Sequence, residues 1–398
     1  MSRICILGGG FGGLFTALHL AKLPWAEPPE LVLIDRKEHF LFSPLLYELI
    51  TAELPVWQIA PQFQDLLQGT GIKFVHGTVA QINLEQRLIG LADAKHQSEI
   101  GSGLGQQISY DYLVFALGGE TPMDLVPGAT EHALSFRTLA DANRLNAHLT
   151  FLENSDRPKI RVCIVGGGAS GVELACKISD RLQSRGRVRL IDRNSEILGR
   201  SPQPNRLASS QALVQRGIWC DLSTQVIKVA ADHVELEYQN QLHQLSVDLV
   251  LWTVGNSYSK LVQNLDLAHV GQRLAVAADL HLPAHDHLFA LGDLAHCTDS
   301  NGVVVPTTAQ AAYQQAQYCA WNIWASIHQK PLTPFVYLPL GEFVSLGIGD
   351  ATVTTLANIS FHGAAVNWLR RGAYLLRMPT LNHQLRVGWD WLTSLKQN

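Results

Sequence analysis

One pattern, met twice, predicts an α/β fold with two Rossmann-like dinucleotide-binding domains. Residues 4–17 read "ICILGGGFGGLFTA" and residues 162–175 read "VCIVGGGASGVELA": an apolar strand, a cluster of glycines, then helix-spaced apolar residues. The glycines fit G-x-G-x-x-G as Gly8, Gly10 and Gly13, and again as Gly166, Gly168 and Gly171. A missing Cβ permits the tight turn, the approach of a pyrophosphate and close helix packing, and the phosphates then sit on the helix N-terminus. Downstream, "LVLID" ends in Asp35 and "RVRLID" in Asp192, so each unit has a second strand finishing in a carboxylate suited to a ribose hydroxyl pair. A lone glycine motif is weak evidence, but strand, glycines, helix, strand and acid recur here in the same order. Phe11 and Gly12 in the first turn, and Ser170 in the second, are placed at the same cofactor sites.

Composition agrees. With 398 residues, 47% hydrophobic and 16% charged, the chain can bury two or three cores, and a net charge of -4 gives no reason to expect nucleic acid. The cysteines (Cys5, Cys163, Cys176, Cys220, Cys297, Cys319) never form C-x-x-C and read as reduced, mostly buried thiols of a cytosolic-type compartment. The first strand begins at Ile4, which leaves no room for a secretory signal, and no apolar run is long enough to cross a bilayer.

Residues 1–152 are expected to form the first domain, 153–159 ("ENSDRPK") a linker, and 153–272 the second domain. The later part of the first domain reads as strands around a polar hairpin loop at 93–107; the second repeats the plan, with a helix at 205–216 and a β ribbon at 234–236 and 242–247. "LVFALGG", with Gly118, and "LVLWTVG", with Gly255, occupy equivalent places, each a buried strand leaving toward a glycine turn. Residues 273–330 return to the first domain through "HLFALGDLAH". An apolar strand ending in Gly292-Asp293 suits a flavin dinucleotide: the carboxylate accepts from ribityl hydroxyls and the next turn offers N–H groups to phosphate. The alternative is an ordinary strand-end turn.

These features together resemble the two-dinucleotide-binding-domain flavoproteins, in which the first site holds FAD and the second NADH or NADPH. The vicinal cysteine pair of the disulfide reductases is missing. Two further stretches, "FLFSPLLYELI" at 40–50 and "PTTAQAAYQQAQY" at 306–318, resemble the type II NAD(P)H:quinone oxidoreductases, whose A-Q-x-A-x-Q helix borders the quinone site; here it reads Ala309, Gln310, Ala311, Ala312, Tyr313, Gln314. The "LLYEL" loop and "YLLRMPT" tail resemble the cyanobacterial and plastid branch acting on demethylphylloquinone in vitamin K1 synthesis. The resemblance implies a peripheral enzyme on the cytoplasmic side of a membrane (thylakoid or plasma membrane in a cyanobacterium) that passes hydride from NAD(P)H to FAD and two electrons to a membrane quinone. Respiratory reduction of plastoquinone or menaquinone, reduction of a soluble redox-carrier protein, and a flavin- and NADH-binding sensor resembling apoptosis-inducing factor stay open beside it.

Individual residues support that reading to different degrees. Pro306 with Thr307 or Thr308 is a good helix start, and Gln310 and Gln314, at i and i+4, share a face from which amides reach quinone carbonyls or simply meet water. Glu173, two residues beyond Gly171, is either a carboxylate favoured by the helix dipole or, as the resemblance implies, a group near the nicotinamide and flavin that helps proton or hydride steps. Pro44, Leu45 and Leu46 are a rigid apolar loop near the flavin, or ordinary core. Arg193 follows Asp192 and suits a 2'-phosphate, yet Asp35-Arg36 repeats the pair at the FAD site, so NADH and NADPH both remain. His281, His285 and His287 around Pro283 read as a loop, not a metal site.

Residues 331–398 are expected to be a C-terminal membrane-association or interface region, with a membrane-associating helical segment at 364–398. Ala365, Trp368, Leu369 and Leu375, then Val387, Trp391, Leu392 and Leu395, recur at near-helical spacing on either side of Pro379. Arg370, Arg371, Arg377, Arg386 and Lys396 oppose only Asp390, which suits anionic lipid. The alternative is a helical hairpin packed on the body or in a homodimer interface.

Overall fold

In the first glycine-motif copy the strand is Arg3–Leu7 and the helix Phe11–Leu20; in the second they are Ile160–Val165 and Ala169–Leu182. The computed structural model describes residues 2–92, 104–355 and 359–394. The chain divides into two units: Met1–Phe42, Ala60–Glu120 and Ser257–Leu338 in one, Ser43–Ile59, Thr121–Asn256 and Pro339–Asn398 in the other.

The first unit is built on a six-stranded sheet in the order His281–Leu282, His285–Ala290, Tyr112–Phe115, Arg3–Leu7, Glu30–Asp35, Ile72–His76. All neighbours are parallel except the short first strand. Ile4, Cys5, Ile6 and Leu7 are fully buried, as expected of a parallel strand covered on both faces. The second unit repeats this with five parallel strands in the order Trp219–Asp221, Gly186–Ile191, Ile160–Val165, Leu249–Trp252, Ala133–Ser135. Each unit adds an antiparallel meander: Val79–Asn83, Leu88–Ala92 and Leu104–Ser109 in the first, Gln225–Val229, His233–Tyr238 and Gln241–Ser246 in the second. The loop read at 93–107 lies outside the described residues up to 103; beyond that, Leu104–Ser109 is already strand.

The two sheets take their fifth strands from opposite directions along the chain. His285–Ala290 comes from after the Thr121–Asn256 segment of the second unit, whereas Ala133–Ser135 comes from before the linker and pairs with Leu249–Trp252. Residues 121–152 therefore pack with the second unit, although the sequence places them in the first domain. Residues 43–59 do the same, held there by the ion pairs described below.

The C-terminal region opens with an antiparallel sheet that the sequence reading left unassigned, Glu342–Ser345, Ala351–Thr354 and Ser360–His362. Two helices follow, Ala364–Leu375 and Leu381–Ser394. The first buries Val366, Asn367 and Arg370 and exposes Trp368 and Leu369; the second buries His383 and Val387 and exposes Leu381, Leu385, Trp389 and Leu392. Leu395 and Lys396 lie outside the described residues.

Two positions in the second motif separate steric need from tolerance. A Cβ on Gly171 would stand 1.8 Å from the Gly166 carbonyl oxygen, whereas one on Gly168 meets nothing within 4 Å. Gly171→Ala is expected to cost about 3 kcal/mol or more and Gly168→Ala about 1 kcal/mol, read from urea unfolding. Equal losses would show that close approach at Gly171 is not the constraint.

Candidate active site

At both sites the backbone is shaped by the same glycine geometry. Gly8 has φ +98° and Gly166 has φ +114°, values that side chains rarely adopt, and a Cβ on Gly13 would lie 1.8 Å from the Gly8 carbonyl oxygen, as at Gly171. The two helices begin at Gly10 and Gly168 with no side-chain cap and no acidic residue in the first turn. Their N-terminal N–H groups, at the positive end of the helix dipole, thus have the chemistry of a phosphate cradle, and the open space at Gly10 and Gly168 suits it.

The acids close both cradles in the same way. Asp35 accepts from the Gly9 N–H at 2.6 Å and the Lys37 N–H at 2.8 Å; Asp192 accepts from Gly167 at 2.5 Å and Asn194 at 2.7 Å. The following arginines differ. Arg36 is ion-paired with Glu120 at 2.5 Å, while the Arg193 side chain is exposed. Phe11 packs edge-on against Phe40 and Phe42, Ser170 Oγ accepts from the Tyr47 hydroxyl at 2.9 Å, and Gly118 and Gly255 follow the equivalent strands Tyr112–Phe115 and Leu249–Trp252. Gly292 and Asp293 form a short helical turn whose Gly292 N–H donates to Gln315 Oε1 at 2.8 Å. Gln315 was not singled out by the sequence reading; the available signal was its place among Ala311, Ala312 and Cys319 on the buried helix face.

Glu173 opens the second turn of its helix rather than standing at the dipole end. Its carboxylate is buried, and Oε1 accepts from the Ser345 N–H at 2.9 Å. Burial pushes its pKa up to about 7, against the opposing pull of Arg370 and the Ser345 hydrogen bond. One turn further on, Lys177 is fully buried; its Nζ donates to Glu48 Oε2 at 2.5 Å and also pairs with Glu53. Glu48 takes the Arg370 guanidinium on its other oxygen, and Arg371 stands 3.4 Å from Glu53. Burial works against ionisation of Glu48, but Arg370 and Lys177 overcome it and bring the carboxyl down to about 2; Glu53 is pushed up by burial and by Glu48. Arg370, expected to face lipid, is instead buried because this pairing is available only inside.

Pro44 and Leu45 belong to the same group of residues. They lie in the helical turn Ser43–Leu49, where Leu45 is buried and the Pro44 carbonyl accepts from Arg370 Nη1 at 3.4 Å.

The glutamine helix, Ala309–Ile327, is capped by Thr308, whose Oγ1 accepts from the Ala311 N–H at 3.2 Å; Ala309 is its first residue. Gln310 Oε1 accepts from the Tyr337 hydroxyl at 3.1 Å, and the Gln314 amide bonds the Leu338 main chain through both its oxygen and its nitrogen. All six thiols are free, and among the described residues no group of histidines, cysteines or acids is arranged to hold a metal.

The raised Glu173 pKa has a measurable consequence. An ordinary glutamate titrates at 4.5, so between that value and about 7 the folded chain holds a proton that the unfolded chain releases. The associated stability is present below the lower value, is lost as pH rises through the upper one, and amounts to about 3 kcal/mol. Glu173→Gln keeps an acceptor for Ser345 without the charge, so in urea titrations its advantage over the wild type should be largest near about pH 8 and shrink as pH falls toward the glutamate range. A difference constant with pH would assign the titration to another group.

Known proteins share this architecture. The family model described as pyridine nucleotide-disulphide oxidoreductase matches residues 2–316. Demethylphylloquinone reductase NdbB of Synechocystis sp. is 47% identical over 98% of this chain and 96% of its own. The alternative NAD(P)H-ubiquinone oxidoreductase C1, chloroplastic/mitochondrial, of Arabidopsis thaliana is 42% identical over 98% of this chain and 80% of its own. The solved structure of NDH2 from Plasmodium falciparum in complex with NADH has the same fold, with a TM-score of 0.86 at 17% identity over 99% of this chain and 98% of that one. With the glycine cradles, the family model and relatives of this identity all spanning the same residues, the chain belongs to the pyridine nucleotide-disulphide oxidoreductases, in the branch of the type II NAD(P)H:quinone oxidoreductases.

Proposed function

We propose that the chain is a FAD-dependent NAD(P)H:quinone oxidoreductase acting at a membrane surface on a demethylphylloquinone-like naphthoquinone. The observation that carries this reading is the pair of glycine cradles, each closed by its own carboxylate, in a chain whose relatives are named for quinone reduction. NAD(P)H, one proton and the quinone give NAD(P)+ and the hydroquinone. Bound FAD would supply the two-electron relay between the nicotinamide and the quinone.

The chain's own residues bind, orient and carry protons. Gly8, Gly10, Phe11, Gly12 and Gly13 hold the FAD pyrophosphate, Asp35 its ribose, and Gly118 with Gly292 and Asp293 the rest of that cofactor. Gly166, Gly168, Ser170, Gly171 and Gly255 hold the nicotinamide dinucleotide, with Asp192 on the ribose; the exposed Arg193 keeps NADPH beside NADH as donor. Glu173, titrating near neutrality, gains and loses a proton at working pH. The amide of Gln310 donates to a quinone carbonyl. Reduction of the naphthoquinone makes its ring electron-rich, which suits a following ring methylation.

Steady-state assays of the flavin-loaded protein, with NADH and NADPH against benzoquinones and naphthoquinones, test this. Turnover should be fastest with a naphthoquinone; background rates with every quinone would overturn the assignment.

The C-terminal helices support the membrane part of the proposal. Leu381, Leu385, Trp389 and Leu392 are 62–71% exposed and spaced three or four apart, so they form one outward apolar stripe. Among the described residues no helix is long and apolar enough to cross a membrane, so the contact is with its surface. Leu385→Asp with Trp389→Asp should abolish flotation with anionic liposomes while NAD(P)H-driven reduction of a soluble acceptor continues. A variant that still floats would remove the stripe from the membrane contact.

A further inference from the structure

Helix Ala169–Leu182 meets the Ser43–Leu49 turn at two points on one face. Ser170, Glu173 and Lys177 are spaced three and four residues apart and so share that face, which spans about 10 Å from first to last. At one end Lys177 Nζ donates to Glu48 Oε2 at 2.5 Å, with both side chains fully buried. At the other the Tyr47 hydroxyl donates to Ser170 Oγ at 2.9 Å. Tyr47 directly precedes Glu48, so the buried ion pair fixes the backbone that carries it, and its ring packs on the buried Phe136 with centroids 5.3 Å apart. Burial and the neighbouring Glu173 charge hold the Tyr47 pKa above the ordinary tyrosine value, so the phenol keeps the proton it donates.

Ser170 stands where the second glycine cradle gathers its donors. The helical ladder begins with the Val172 N–H on the Gly168 carbonyl at 3.0 Å, which leaves the N–H groups of Ala169, Ser170 and Gly171 without a partner inside the helix. Gly168 and Ala169 are exposed and Ser170 is half-buried, so a ligand has access to this end. A serine hydroxyl carries one proton and two acceptor lone pairs. The Tyr47 hydrogen occupies one lone pair, so the Ser170 proton points away from the phenol, and among the described residues this hydroxyl makes no other hydrogen bond. A hydroxyl proton left over beside main-chain N–H groups at the positive end of a helix has the chemistry of a donor to an anionic phosphate.

We propose that Tyr47 is a positioning residue for the nicotinamide dinucleotide: by donating to Ser170 Oγ it turns the serine proton toward the pyrophosphate that the second cradle holds. The inference rests on the reading of that cradle as the NAD(P)H site. In the FAD-loaded enzyme, stopped-flow bleaching of the flavin at increasing NAD(P)H reads the half-saturating donor concentration and the limiting rate separately. Tyr47→Phe keeps the ring on Phe136 and removes only the hydroxyl; it should raise the half-saturating concentration several-fold and leave the limiting rate unchanged. Ser170→Ala should raise it at least as much, since it removes the bond to the charged group itself. The double variant should match Ser170→Ala, because the phenol acts only through the serine. With N-benzyl dihydronicotinamide, a hydride donor that has no phosphate, both single variants should bleach the flavin at the wild-type rate.

The outcomes separate the two claims. A wild-type enzyme whose flavin shows no saturation with NAD(P)H would overturn the reading of the cradle. Where it saturates, an unchanged half-saturating concentration in either single variant, a larger loss in the double variant than in Ser170→Ala, or an equal slowing with the benzyl donor would each overturn the positioning role.

Discussion

A buried lysine organises the second unit. Lys177 has no exposed side-chain surface, and an ammonium group without water is tolerable only with its carboxylates in place. Those come from Glu48 and Glu53, and Glu48 in turn requires Arg370, so residues more than a hundred positions away on either side are bound to one helix turn. Removing one member of such a group leaves a buried charge unpaired, typically a loss of about 3–5 kcal/mol. The 43–59 segment and the first C-terminal helix are thereby tied to the glycine-motif helix that carries Glu173. The Glu173 carboxyl feels the same charges but makes no ion pair among the described contacts, so burial dominates and its pKa rises toward neutrality.

The internal duplication shows how one backbone plan acquires two roles. Registering the motifs on Gly13 and Gly171 sets Phe15 against Glu173 and His19 against Lys177. In the first copy the helix is nearly all apolar and buried, and Phe15 joins an aromatic group with Phe11, Phe40 and Tyr313. In the second, the same turns carry the buried charges. The cradle geometry is unchanged because it belongs to the glycines and the strand ends, whereas the chemistry beside it belongs to the helix face.

The C-terminal helices are two-faced for a related reason. Arg370 is drawn inward by Glu48, and the helical repeat then turns its neighbours Trp368 and Leu369 outward. In the second helix His383 bonds the Gln58 carbonyl at 2.8 Å and Trp391 bonds the Gln58 side chain at 2.8 Å, so polar contacts secure the inner face while leucines and Trp389 form the outer one. An apolar exterior stripe is costly in water, which is the physical ground for expecting a lipid surface to cover it.

Local pattern was enough for the repeated strand, glycine turn, helix and acid, because these depend on backbone sterics and short-range hydrogen bonds that residues 4–17 and 162–175 carry within themselves. The glutamine helix, its threonine cap and the Gly292-Asp293 turn were legible on the same ground. Three things were not. The origin of the fifth strand of each sheet depends on which distant segment reaches the open edge, a choice that Ala133–Ser135 does not advertise. Nothing local marks Glu48, Lys177 and Arg370 as buried, since only the folded chain brings opposite signs together and offsets the cost of taking them from water. Nor does the sequence announce that the Tyr337 hydroxyl donates to the Gln310 side chain, from a segment after that helix which forms no regular element. Sequence by itself determined where the cradles lie and which acids close them; tertiary structure alone decided which ionisable groups lose their water, and with it the proton affinity of Glu173.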